Sequence, residues 1–177
     1  MKPTRFIFIC LLSNATLCAN AATICSPDHI AATSPSSKYQ VNPDRTLTDI
    51  TTGLEWKQCV EGLSGNQCDK GQPTLFTWQA ALLYPKTFNK QSTVGKTDWR
   101  IPNVRELSTL VELRCMNPSI NTAIFANTPS LPLWTSSPYS AGPDFYSWVV
   151  DFGNGAIFSD DRTKPKPLRL VRTSTAR

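Results

Sequence analysis

The chain has 177 residues, with 18 Lys and Arg against 13 Asp and Glu, one His and a formal charge of +5. That length suits a single domain able to bury a proper core. The charge is mild and no long basic run carries it, so an anionic partner is permitted and nucleic-acid binding is not expected.

Residues 1–21 read as a signal peptide. Lys2 and Arg5 make the basic start, Phe6 to Leu12 the apolar stretch, and Ala19-Asn20-Ala21 a small-residue cleavage site. The apolar run is too short, and too interrupted by Ser13 and Asn14, to span a bilayer. The chain is therefore expected in the periplasm, at the cell surface or released. Cys10 and Cys18 leave with the leader, and Cys25, Cys59, Cys68 and Cys115 remain in an oxidising compartment. Of the three pairings possible, Cys59–Cys68 is favoured. It closes a short polar loop containing Gly62, Gly65 and Asn66, and Cys25–Cys115 would then staple the N-terminal segment to the end of a helix. Zinc is not expected, because the cysteines lack C-x-x-C spacing and His29 is the only histidine.

Residues 22–44, rich in Ala, Ser, Thr and Pro, read as an N-terminal arm. A hairpin follows, Thr46–Asp49 and Leu54–Lys57 about a turn at Ile50–Gly53. Thr77 can cap a first helix with apolar positions at Trp78, Ala81 and Leu82, which Pro85 is expected to cut short. Lys86 to Lys96 reads as a polar connection. Pro102 then pushes Ile101 into an extended conformation, and Asn103 with Glu106 forms a capping box. Val104, Leu107, Leu110 and Val111 recur at helical spacing, predicting a second helix that runs to about Arg114-Cys115. Strands are predicted at Leu133–Ser136, Tyr146–Phe152, Ala156–Phe158 and Leu168–Arg172, with a Pro/Gly loop at Pro138–Asp144 and a turn at Gly153-Asn154-Gly155. Two helices early and an antiparallel sheet late define a disulfide-stabilised α+β fold.

No catalytic constellation is legible. Asp151-Phe152-Gly153 matches the kinase magnesium motif in letters only, since no phosphate loop or catalytic loop accompanies it. His29 lies in the arm, where nothing positions it as a base. An enzyme is not expected, nor is a cofactor. Calcium wants several oxygen ligands close together. The nearest candidates, Asp160-Asp161 and Asn103, read as a solvated loop and a helix cap. The anion-binding candidates are Arg162, Lys164 and Lys166, with Arg169, because Arg grips sulfate or carboxylate bidentately and Pro165 keeps the loop extended. Asp160-Asp161 partly cancels that field, and Arg169 and Arg172 have internal pairing as a second reading. Tyr139 and Tyr146 are the expected exposed aromatics, and Trp56, Trp99 and Trp148 are expected in the core.

One family shares these landmarks in this order: Thr52-Gly53-Leu54-Glu55-Trp56-Lys57, Cys59 and Cys68, Thr77-Trp78-Gln79, Asp98-Trp99-Arg100-Ile101-Pro102-Asn103, Pro118-Ser119-Ile120-Asn121, Trp134-Thr135-Ser136-Ser137 and Arg169-Leu170-Val171-Arg172. Over residues 45–173 the chain resembles the Lcl C-terminal domain, the C-terminal domain of the Legionella collagen-like adhesin. The resemblance implies a C-type-lectin-like fold, a bacterial envelope or extracellular setting, and binding of a glycan or an anionic, glycosaminoglycan-like polysaccharide. An assembly subunit of an envelope or surface-appendage complex, docking on another envelope protein, is the alternative. The chain departs from the adhesin in lacking a collagen-like stalk.

Overall fold

The computed structural model describes residues 23–26, 30–91, 95–142 and 144–174. The leader at 1–21 and His29 lie outside them. In chain order the elements are β1 (Ile24–Cys25), a 3-10 turn (Ser36–Lys38), β2 (Tyr39–Val41), β3 (Thr46–Asp49), β4 (Leu54–Lys57), β5 (Leu63–Ser64), β6 (Lys70–Gly71) and α1 (Trp78–Gln91). Then come α2 (Val104–Ser108), β7 (Cys115–Met116), β8 (Pro132–Pro138), β9 (Tyr146–Asp151), β10 (Ile157–Asp161) and β11 (Val171–Thr173). All pairings are antiparallel: β11-β4-β3-β2, β10-β9-β8, and two short ladders, β1-β7 and β5-β6. The class is α+β, as the sequence predicts.

Side-chain alternation sorts the strands into two cores. Leu133 and Val150 enter one, with Leu47, Trp56, Leu107, Ile120, Phe125 and Val171. Their neighbours Trp134 and Val149 enter the other, with Ala81, Trp99, Ile101, Leu168 and Leu170. The β8–β9 pair is thus buried on both faces over this stretch. In the four-stranded sheet, the row Leu47–Trp56–Val171 faces the first core. The alternate row Thr48–Glu55–Arg172 faces outward and is covered by charge: Glu55 accepts from Lys96 at 2.5 Å and from Arg172 at 2.6 Å, and Arg172 also bonds Asp98 at 2.6 Å.

Three expectations are corrected. The first helix does not stop at Pro85 but runs on to Gln91 with Pro85 buried inside it. Anchors on both sides of the proline outweigh its missing N–H. Tyr84 packs between Phe76 and Phe88, its hydroxyl donates to Glu61 at 2.7 Å, and Asn89 bonds the Trp99 backbone through both its amide nitrogen and its amide oxygen. The second helix is shorter than predicted and ends at Ser108. Val111 forms a bridge with Ile120, and the buried Glu112 carboxylate collects the backbone N–H groups of Thr33, Ser34 and Arg114, which draws the chain off the helical path. The segment 22–44 also contributes more than an arm. Ser34 and Tyr39 are buried, their hydroxyls 2.7 Å apart, and Tyr39–Val41 is the edge strand of the four-stranded sheet.

The strand-to-helix joint is as read. Asn103 Oδ1 accepts the Glu106 N–H at 2.9 Å, and Glu106 Oε2 accepts the Asn103 N–H at 2.8 Å. Arg100 completes it with a two-pronged grip on Glu106 at 2.8 and 2.7 Å. Both disulfides form in the favoured pairing, Cys59–Cys68 and Cys25–Cys115.

Candidate functional site

The predicted basic loop is engaged internally. Lys166 is 5% exposed, donates to Asp160 at 2.6 Å and lies over the Trp134 ring. Lys164 donates to the other Asp160 oxygen at 2.7 Å. Burial opposes the Asp160 charge, but these two cations and the Asp161 N–H hold its pKa at about 2, so the carboxylate is ionised and pairs with both lysines. Arg162 stacks on Trp78 and donates to Ser147 at 2.8 Å. Arg169 is not at the surface at all. It is fully buried and donates to Lys57 O at 2.8 Å, Gln58 O and Thr128 Oγ1 at 2.6 Å, and burial lowers its pKa to about 9. Arg169 therefore drops out as an anion contact: it is used internally ahead of β11, which begins at Val171 rather than the predicted Leu168, and Arg172 within that strand pairs with Glu55 and Asp98.

The aromatic residues fare differently. The Tyr139 N–H donates to Tyr146 O at 3.2 Å, and Tyr139 meets Trp148 edge-on with ring centroids 5.0 Å apart. Trp148 is only partly buried, contrary to the core position expected of it, whereas Trp56 and Trp99 are buried. Tyr146 and Trp148 point to the same face of β9, the face opposite Ser147, which holds Arg162. The structure therefore gathers the predicted aromatics, half-buried rather than exposed, and sets Tyr146 opposite Asp161 at the start of the basic loop.

A second locus gathers around the Cys59–Cys68 loop. On one side lies a pocket of about 500 Å³ lined by Arg45, Ser64, Asn66, Gln67, Asp69 and Lys70. On the other lies a groove of about 650 Å³ that shares Gln67 and Asp69 and extends to Gln72, Thr122, Asn127 and Thr128. The hairpin between them is built by close backbone approach. A Cβ on Gly62 would lie 2.3 Å from Gln72 O, and one on Gly71 would lie 2.3 Å from Gly62 O; both residues have positive φ. Only glycine fits at either place. The left-handed non-glycine residues gather here too: Cys68 and Asn127 line the groove, Asn117 precedes its Pro118, and Arg45 lines the pocket.

Among the described residues, Arg45 and Lys70 form no ion pair and no side-chain hydrogen bond, unlike Lys164 and Lys166. Neither stands out in the sequence. The one signal there is the cysteine-bracketed loop with Gly62, Gly65 and Asn66, which points to the disulfide and not to the cations beside it. Among the described residues no group of three or more His, Cys, Asp or Glu is placed to hold a metal ion, and no helix is long and apolar enough to cross a membrane.

Fold and site together define a disulfide-stapled α+β module, of the kind stable in an oxidising, extracytoplasmic setting, with two polar cavities flanking its Cys59–Cys68 loop. The chain belongs to the Lcl C-terminal domain family, whose model matches residues 45–172. Membership makes it an adhesin-related module. None of the curated proteins compared with it matches the chain.

Proposed function

We propose that this protein is an exported, non-enzymatic adhesion module that recognises anionic glycan at the pocket between Arg45 and Lys70, on a C-type-lectin-like scaffold. The observation that carries the reading is the distribution of free positive charge. The cations of the 162–169 loop are held by Asp160, Ser147 and backbone carbonyls, while Arg45 and Lys70 converge on one concavity without a partner among the described residues. A sulfate or carboxylate there would gain charge-assisted hydrogen bonds from two cations, against the one carboxylate, Asp69, in the same lining. Asn66 and Ser64 add neutral donors for adjoining hydroxyls. Recognition on this reading needs no calcium and no other cofactor.

The test is salt elution from immobilised heparin. Arg45→Ala with Lys70→Ala should elute at distinctly lower salt than wild type, and Arg162→Ala with Lys164→Ala close to wild type, each unchanged by a calcium chelator. Wild-type retention of the Arg45/Lys70 variant would refute the assignment. A second reading, an assembly subunit docking on an envelope protein, draws on exposed apolar residues. Ile24 and Met116 are exposed cross-strand partners, and Leu113 and Ile157 line one shallow pocket. Stoichiometric co-purification of a second envelope protein, with no retention on heparin, would favour it.

A further inference from the structure

The larger groove differs in chemistry from the Arg45–Lys70 pocket. Among the described residues Asp69 is its single charged lining residue, and the rest of its polar surface is amide and hydroxyl. None of the described cations lines it, so an anion would meet the Asp69 carboxylate without a counter-charge. The side chains of Gln67, Gln72, Thr122 and Ser130 make no hydrogen bond among the described residues, which leaves donors and acceptors available around one cavity. Pro73, Pro118 and Pro129 supply rigid apolar patches on the rim. Convergent polar groups beside rigid apolar faces suit a molecule with hydroxyls at its edge and C–H groups on its faces.

The walls are fixed before any ligand arrives. Across the mouth, Asn127 Nδ2 donates to Gln67 O at 2.7 Å. Asn127 and Cys68 hold left-handed backbone with φ of 49° and 52°, a conformation unfavourable for residues with a Cβ and one that tends to collect at ligand sites. From behind, the buried Arg169 guanidinium spans both walls. Nη1 holds Lys57 O and Gln58 O, at the root of the Cys59–Cys68 loop, while Nη2 holds Thr128 Oγ1, which lines the opposite side. The ring of Phe125 lies against the same guanidinium. A planar fork can reach three acceptors in fixed directions, which an ammonium cannot do.

We propose that this groove binds an uncharged, hydroxyl-rich ligand, a neutral saccharide unit, and that Arg169 is the positioning residue that holds its walls in register. The proposal rests on the reading of the protein as a glycan binder but uses residues outside the Arg45–Lys70 pair. On a glycan, the two cavities would take neighbouring units, a charged one and a neutral one, on either side of the same disulfide loop.

The experiment uses the purified oxidised protein on an array of uncharged glucose, galactose, mannose and N-acetylglucosamine oligosaccharides, with heparin retention measured in parallel. At least one uncharged series should bind. Gln72→Ala with Thr122→Val should weaken it at least tenfold while heparin retention stays at wild-type level. Arg45→Ala with Lys70→Ala should leave it intact, so loss of heparin retention and loss of neutral-sugar binding report on different cavities. Asn127→Gly, which keeps the backbone shape and deletes the tie to Gln67, should weaken neutral-sugar binding several-fold without changing the circular dichroism spectrum. Arg169→Lys should do the same in its folded fraction, whereas a purely structural role would lower the melting temperature and leave affinity alone. Absence of binding by every uncharged series, or wild-type affinity in the Gln72/Thr122 variant, overturns the proposal.

Discussion

Glu55 is the hub of the outward face of the four-stranded sheet, and Glu55→Gln tests whether that face is held by charge. Its Oε1 accepts from Lys96 and Thr46, each at 2.5 Å, and its Oε2 accepts from Arg172 at 2.6 Å. Glu55 and Arg172 are 3% and 6% exposed, so neither finds water easily. Glutamine keeps the shape but offers one oxygen and one NH2 group. If the oxygen faces Arg172, the NH2 meets the donors of Lys96 and Thr46. Breaking a buried ion pair costs about 3–5 kcal/mol. Here Asp98 and Asp44 still hold Arg172 and Lys96, so we expect a loss of about 2–3 kcal/mol, or roughly 5–10 °C in melting temperature for a domain of this size. Urea unfolding at neutral pH with both disulfides intact should show the loss as a lower midpoint at constant slope. The pH dependence supplies a second check. Burial opposes the Glu55 charge, but hydrogen bonds from Lys96, Thr46 and Arg172 overcome it and set its pKa below the ordinary 4.5. A depressed carboxylate stabilises fully above its unfolded value, and the effect is lost as pH falls through the folded one. The gap between variant and wild type should therefore be largest above about pH 5 and close in more acidic solution. A loss under about 0.5 kcal/mol at neutral pH would mean that the sheet is held by its apolar face alone, and the reasoning would fail.

Two further outcomes follow from the loop end and its staples. Gly62→Ala should destabilise by at least about 2 kcal/mol, because its Cβ would strike Gln72 O, whereas Gly53→Ala, also at positive φ but with nothing within 4 Å, should lose only about 1 kcal/mol; equal losses by thermal melting would show that conformation rather than crowding governs both. Replacing Cys25 and Cys115 by serine should cost more than replacing Cys59 and Cys68, about 4–5 against 2–3 kcal/mol on loop entropy, since the sequence separations are 90 and 9; the reverse order in urea titrations would contradict the chain-entropy account.

Local chemistry made much of the fold legible. The hairpin at Thr46–Lys57 follows from alternation about a Gly53 turn, and the corner at Asn103 from a capping box written in four consecutive residues. What failed were helix lengths, where tertiary partners decide. Tyr84 and Asn89 carry α1 past Pro85, and Glu112 ends α2 early by taking N–H groups from a segment about eighty residues away in sequence. Nothing in the Val104–Val111 spacing distinguishes a helix from a turn that buries the same residues. The site was less legible for a related reason. A cation's availability depends on who else is near it in space. Asp160 beside Lys164 and Lys166 hinted at neutralisation, but the isolation of Arg45 and Lys70 arises only when two loops meet. Arg169 reads as a surface charge in the sequence, but in the fold its guanidinium is spent on three internal acceptors.

The Cys25–Cys115 bond has a mechanical consequence for a chain pulled at its N-terminal end. A pull arriving from the residues before Cys25 passes through the sulfurs into β7, bypassing the chain between. That bypassed stretch contains Arg45, Lys70, Gln72, the Cys59–Cys68 loop and the joint at Asn103. Tension between the N-terminal end and the chain beyond Cys115 would therefore leave the Arg45–Lys70 pocket unloaded, whereas the groove, lined also by Thr122, Asn127 and Thr128, would stay in its path.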